Sequence, residues 1–183
     1  PFREASKRCS ASLPHLSPHM APSQHAPGPD QESVWDYPRP PRLEPARAPI
    51  RVVFNGITIA ETDRALRILE TSHPPTYYIP PEDVKTEFLT QEDHATRCEW
   101  KGQSVYYTVT VDDRKAKHAA WSYPSPNERY AKLKGYFAFY ASKMDACYVG
   151  DEKARAQEGD FYGGWITSQV AGPFKGGPGS IGW

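Results

Sequence analysis

A chain of 183 residues that balances 22 basic against 22 acidic side chains carries no net charge, so electrostatics offer no argument for nucleic acid or an anionic membrane as partner. No apolar run approaches the roughly 20 residues that span a bilayer, no charged-then-apolar leader stands near the first residues, and the length suits one domain with a real core. Five Trp, eleven Tyr and seven Phe can supply that core with rings, whose large area compensates for few Leu and Ile.

Residues 1–49 hold eleven prolines among scattered Ser, His and Gly. Proline removes backbone donors and such a stretch has little to bury, which predicts a largely disordered or extended arm. Met20 is a candidate start within it. The segment VWDYPRPPRLEP, residues 34–45, stands apart: Trp35, Tyr37 and Leu43 could dock the arm onto the domain, or the segment could be plain linker.

From Ile50 the pattern turns to short strands. In RVVFNGITIA, Asn55-Gly56 suits a two-residue type I′ turn, which needs positive φ at both positions. Phe54 then pairs with Ile57 and Val52 with Ile59, all four on one face. RALRILE fits a strand or a short helix, with the apolar alternation of Leu66 and Ile68 favouring a strand, and TYYIP is a second strand. PEDV predicts one helical turn with Pro81 at an early position and Asp83 as a capping residue.

ATRCEW and QSVYYTVTV read as a hairpin closed by Lys101-Gly102. That register sets Trp100 opposite Gln103 and Cys98 opposite Val105. It puts Cys98 and Trp100 on an apolar face with Val105 and Tyr107, and Arg97, Glu99, Ser104 and Tyr106 on the other. AKHAAWSYP is a further strand. SPNERYAKLKGY is the one convincing helix, with Ser125 as N-cap and Pro126 first in the helix. YFAFY and DACYV complete the strands, joined through Lys143-Met144. The tail from residue 159 is too rich in rings to be disordered, so Phe161, Trp165, Ile166 and Phe174 are expected to pack on the domain.

Cys9, Cys98 and Cys147 form no CxxC pair, which argues against a zinc knuckle and leaves no metal or cofactor to assign. A Cys98–Cys147 disulfide would need neighbouring strands. Reduced thiols in a cytoplasmic protein are the simpler reading.

Three blocks, FNGITIAETDRALRILETSHPPTYYIPPEDV, CEWKGQSVYY, and AAWSYPSP followed by AFY, resemble domain of unknown function family 427, also labelled a nucleotidyltransferase family. The resemblance covers about Arg51 to Val149. It implies a mainly β, β-tent-like domain of layered antiparallel sheets with one short helix, similar to the methionine sulfoxide reductase B and Mss-four-like architecture. On that basis the arm spans 1–49, the β-tent-like domain 50–158 and the packed tail 159–183. Many relatives of that architecture hold zinc between two CxxC knuckles, which are missing here. Nucleotidyl transfer draws no support from the residues. Asp112-Asp113 are adjacent and would diverge on a strand, and GPFKGGPGS is not a phosphate loop.

The expected function is therefore binding of an unidentified small molecule in an aromatic-lined cleft, with or without weak catalysis. Glu70, Tyr78, Lys101, Trp121 and Tyr123 are the expected ligand-binding residues. Each has an ordinary alternative: a surface acid, a solvated lysine at a hairpin tip, core rings. Cys98 is the weak catalytic candidate, with His94 or His118 as possible activators, against a buried inert thiol. His73 could titrate near neutral pH or be an ordinary loop histidine. Rival readings are a structural or protein-interaction module without catalysis, and a nucleotidyltransferase-like or thiol redox enzyme. Oligomeric state is not legible.

Overall fold

The computed structural model describes residues 26–183. The expectations that concern Cys9, Met20 and the arm up to residue 25 lie outside the described residues. The described chain is mainly β, in several antiparallel sheets with short connections. None of its helical segments is long and apolar enough to cross a membrane.

The Asn55-Gly56 turn forms as its chemistry dictates, with φ of 47° and 73°. Phe54 faces Ile57, but Val53 then pairs with Thr58 and Val52 with Ala60. A β-bulge leaves Ile59 as the extra residue. Ile59 turns into the core while Ile57 is exposed, so the expected four-residue face becomes Val52, Phe54 and Ile59. Strands Ile50–Phe54 and Ile57–Thr62 join Ala146–Val149 and Glu152–Lys153 in one four-stranded sheet. A second sheet orders Phe137–Phe139, Arg114–Ser122, Gly102–Val111 and Leu89–Cys98. Apolar side chains of the two sheets, among them Val52, Phe54, Val109, Val111 and Phe139, meet in the largest core cluster.

The region Leu66–Leu69 is a strand, as its alternation favours, between Arg42–Pro45 and Thr76–Tyr78. Ile79 bridges Phe137 through two backbone hydrogen bonds of 2.8 and 2.9 Å. This seam joins the three-stranded sheet to the edge of the second four-stranded one. Successive side chains on a strand point to opposite faces. Tyr77 therefore joins the main core against Trp165, ring centroids 5.2 Å apart, while Tyr78 faces the other way.

From residue 32 the segment expected to be arm belongs to the folded body. Arg42–Pro45 is a sheet strand, Glu32–Ser33 pairs in parallel with Val170–Ala171, and Val34 and Tyr37 are buried. An ion network holds it there. The buried Arg67 guanidinium meets Glu32 at 2.9 Å and Glu44 at 2.5 Å, and the Tyr37 hydroxyl donates to Glu32 at 2.8 Å. Arg64 instead pairs with Asp83 at 2.9 Å. Asp83 also accepts the Thr62 hydroxyl at 2.6 Å, so it braces a neighbouring strand and does not cap the Pro81–Asp83 turn.

The expected helix is a six-residue 3-10 segment, Glu128–Leu133, preceded by Asn127 without a side-chain cap and broken at Tyr130. Ser125 and Pro126 lie outside it. Six residues sustain little helix by themselves, and tertiary contacts decide the geometry: Tyr130 donates its hydroxyl to the Pro41 carbonyl at 2.8 Å, and Leu133 is fully buried. In the tail, Trp165 and Ile166 are buried as expected and Phe174 packs beside Val34 and Leu69. Phe161 is the exception, 65% exposed.

Candidate functional site

The hairpin from Cys98 to Tyr106 turns on three residues, Glu99 to Lys101, and not on Lys101-Gly102. Cys98 pairs with Gly102, Thr96 with Ser104 and Ala95 with Val105. A change of this parity exchanges the faces. Cys98 thus shares a face with Ser104 and Tyr106, whose hydroxyls both meet Thr96 Oγ1 at 2.9 Å, and Val105 and Tyr107 point away. Tyr106 pairs with Trp121 on the next strand. The groups that the expected register divided come together.

They surround a cavity of about 410 Å³ between the three-stranded sheet and the second four-stranded sheet. Glu70, Tyr78, Lys101, Trp121 and Tyr123 all line it, as does Cys98. Its volume falls in the range of small-molecule pockets. Tyr78 is the hinge of the ring wall, edge-on to Trp121 with centroids 6.2 Å apart and tilted to Tyr123 at 6.3 Å. Tyr140 extends the wall from Trp121 at 4.6 Å. Burial raises the pKa of the Tyr78, Tyr123 and Tyr140 phenols, so all three are neutral donors at physiological pH.

Lys101 is the chemically distinctive member. Its place at a hairpin tip predicted a solvated charge, yet only 9% of it is exposed. The tight turn folds it inward, where Asn127 anchors it: the Asn127 N–H donates to the Lys101 carbonyl at 3.0 Å, and its side-chain amide donates to the Trp100 carbonyl at 2.7 Å. Lys101 Nζ lies 5.9 Å from the Tyr123 ring centre. It takes no part in any ion pair among the described residues. Burial disfavours the ammonium, whereas its polar neighbours Tyr78 and Cys98 and the more distant Glu70 carboxylate favour it, and the balance raises its pKa. The site therefore holds a positive charge with ring neighbours and no carboxylate in contact.

Glu70 stands at the rim, 3.6 Å from Arg39, and does not pair with Arg64 or Arg67. His73 lines the cavity, but it does not titrate near neutrality. Burial first, then the charges of Lys175, Arg39 and Lys101, hold its pKa down to about 4, and its Nδ1 meets Gln157 Nε2 at 3.0 Å. His94 and His118 gather around Tyr106 and Glu92, with His118 Nδ1 2.6 Å from Glu92, and neither lines the cavity. The residue beside the Cys98 thiol is Lys101. Cys98 and Cys147 are both free, Cys147 being buried in the other four-stranded sheet. No group of metal-ligating side chains occurs among the described residues.

Two wall elements escaped sequence reasoning. Gln157, buried, donates to the Lys175 carbonyl at 2.7 Å and accepts from the Gly164 N–H at 3.1 Å, stitching the tail over the pocket. Gly163 lies flat against Trp121, and a Cβ there would overlap the indole. The Gly-Gly pair was a visible signal, but close approach to a ring and simple turning freedom look alike in sequence.

Fold and site together define a small, mainly β domain with an aromatic-walled pocket that contains a buried ammonium. The model of the family described as domain of unknown function DUF427 matches residues 42–150, and the chain belongs to that family. No curated protein matches it.

Proposed function

We propose that this domain binds a small molecule carrying an oxyanion, a carboxylate or a phosphate, in the pocket between its sheets. Lys101 takes the anion, and Tyr78, Trp121 and Tyr123 enclose the body of the ligand. The observation that carries this reading is the Lys101 ammonium, buried in the cavity without an ion-pair partner. No carboxylate among the described residues pairs with this ammonium, and a ligand anion supplies the pair. The low pKa of His73 agrees, since three cations contribute to it. The neutral phenols add hydrogen bonds and ring area without competing charge.

A cytoplasmic setting fits the free Cys98 and Cys147. Catalysis by nucleotidyl transfer gains nothing from Asp112 and Asp113: Asp112 sits in a tight turn with φ of 53°, and neither residue lines the pocket. A thermal-shift comparison of small monocarboxylates with their own primary amides, matched in shape, tests the reading. The acids should raise Tm and the amides should not, and Lys101→Met should erase the difference. Equal stabilisation by acid and amide in the unaltered protein would overturn it.

A further inference from the structure

The thiol of Cys98 has a use in this pocket beyond lining it. It sits on the turn that delivers Lys101, its neighbours on the same strand face are Thr96, Ser104 and Tyr106, and it borders the cavity that the ammonium enters. A thiol beside a site that holds an acid by its oxyanion is placed to attack the neighbouring carbon. The second observation is Lys101 itself, nine-tenths buried and without an ion-pair partner among the described residues. The same ammonium that can hold a ligand oxyanion is also next to the thiol, so an acid bound there would present its nearest carbon to Cys98 Sγ.

We propose that Cys98 is a nucleophile that acts on small acids bearing an electrophilic carbonyl carbon close to the oxyanion held by Lys101. This deepens the oxyanion-binding reading and rests on it. In the step, the thiol proton passes to solvent and Sγ attacks the carbonyl carbon. A C–S bond forms as the C=O π bond opens onto oxygen, which takes a proton. The sum is addition of S–H across C=O, with no oxidant, reductant or leaving group. The neutral phenols of Tyr78 and Tyr123 are placed on the cavity wall as donors to that oxygen. Among the described residues dithiol redox chemistry is disfavoured, because Cys147 is buried in the other sheet.

The probes are iodoacetate and iodoacetamide, which differ in charge and little in size. Sγ attacks the methylene carbon, the C–S bond forms, the C–I bond breaks and iodide leaves. Rates are read on the Cys98 peptide by mass spectrometry, with N-acetylcysteine as the free-thiol reference. The iodoacetate-to-iodoacetamide rate ratio at Cys98 should exceed that of the reference by about tenfold or more, the effect of one nearby charge in a shielded site. Lys101→Met should return the ratio to the reference, and Lys101→Arg, which keeps the charge, should retain most of it if Met at this position disturbs folding. A ratio equal to the reference, a ratio indifferent to Lys101→Met, or a Cys98 inert to both reagents overturns the proposal. Thermal shifts by unreactive monocarboxylates separate the two claims. If they persist while the thiol result fails, only the nucleophile is lost; if they too are absent, the oxyanion reading falls with it.

Discussion

The sheet that runs from Phe137–Phe139 to Leu89–Cys98 has two lined faces, and only one is filled. On one face Val109, Ala119, Ala120 and Phe139 meet Val52, Phe54 and Ile59 from the opposing sheet, all nearly or fully buried. On the other, Tyr106, Trp121 and Tyr123 approach Tyr78 and Ile68 and leave about 410 Å³ open. The same strands build both faces, so backbone geometry does not separate them. Chemistry does. On the filled side apolar side chains, rings included, interdigitate to near-crystalline density, whereas on the other side the rings stand around an ammonium and keep a hollow, because the charge must be solvated by water or by a ligand. The filled face supplies most of the stability, and the hollow face holds a charge available for recognition.

The strongest way to break this contrast is to empty the filled side. Phe54→Ala should cost about 4 kcal/mol by cavity formation, seen as a lower midpoint in denaturant with the slope unchanged. Next comes the anchor of the N-terminal segment. Arg67→Met removes the buried cation that Glu32 and Glu44 share and leaves them only the exposed Arg47 and Arg42, a loss of about 3 kcal/mol. The same network sets an acid limit. Burial works to raise the Glu32 pKa, but Arg67, Tyr37 and Arg47 outweigh it and hold it below the ordinary 4.5. Its stabilisation is complete above pH 4.5 and is lost as pH falls through the lower folded value. Thermal melts of the unaltered protein should therefore weaken below that pH, and Arg67→Met should flatten the dependence.

On the hollow side the effects shrink. Gly163→Ala pushes a methyl group into the Trp121 indole and should cost about 2 kcal/mol, with a change in near-ultraviolet circular dichroism as the pocket wall shifts. Lys101→Met should change stability by about 1 kcal/mol or less, and in the destabilising direction, because a raised pKa marks an ammonium that the folded state favours. A large loss of stability in Lys101→Met would remove the distinction between the two faces.

Much of this was legible where the signal was local. Asn55-Gly56 names its own turn, and Leu66-Arg67-Ile68 its alternation. The bulge at Val52/Val53 was not, since nothing in VVFNGITIA marks which residue is surplus. The hairpin at Cys98 shows the larger failure. A turn of three residues in place of two reverses parity, and that one step decided whether thiol, phenol and ammonium meet. Lys-Gly looked like a hairpin tip, and only the tertiary anchor at Asn127 turns Lys101 inward. Proline density hid the strand at Arg42–Pro45, because the buried Arg67 that holds it is contributed by a segment more than twenty residues away.

The protonation of Lys101 tests the central claim most directly. Selective 15N or 13C labelling of lysine with assignment by Lys101→Met allows its side chain to be titrated by NMR in the ligand-free protein. The expected result is an ammonium that stays charged through neutral pH and titrates above the ordinary lysine value. A midpoint near or below pH ~7, as burial alone can produce, would mean a neutral amine in the pocket and would contradict oxyanion binding.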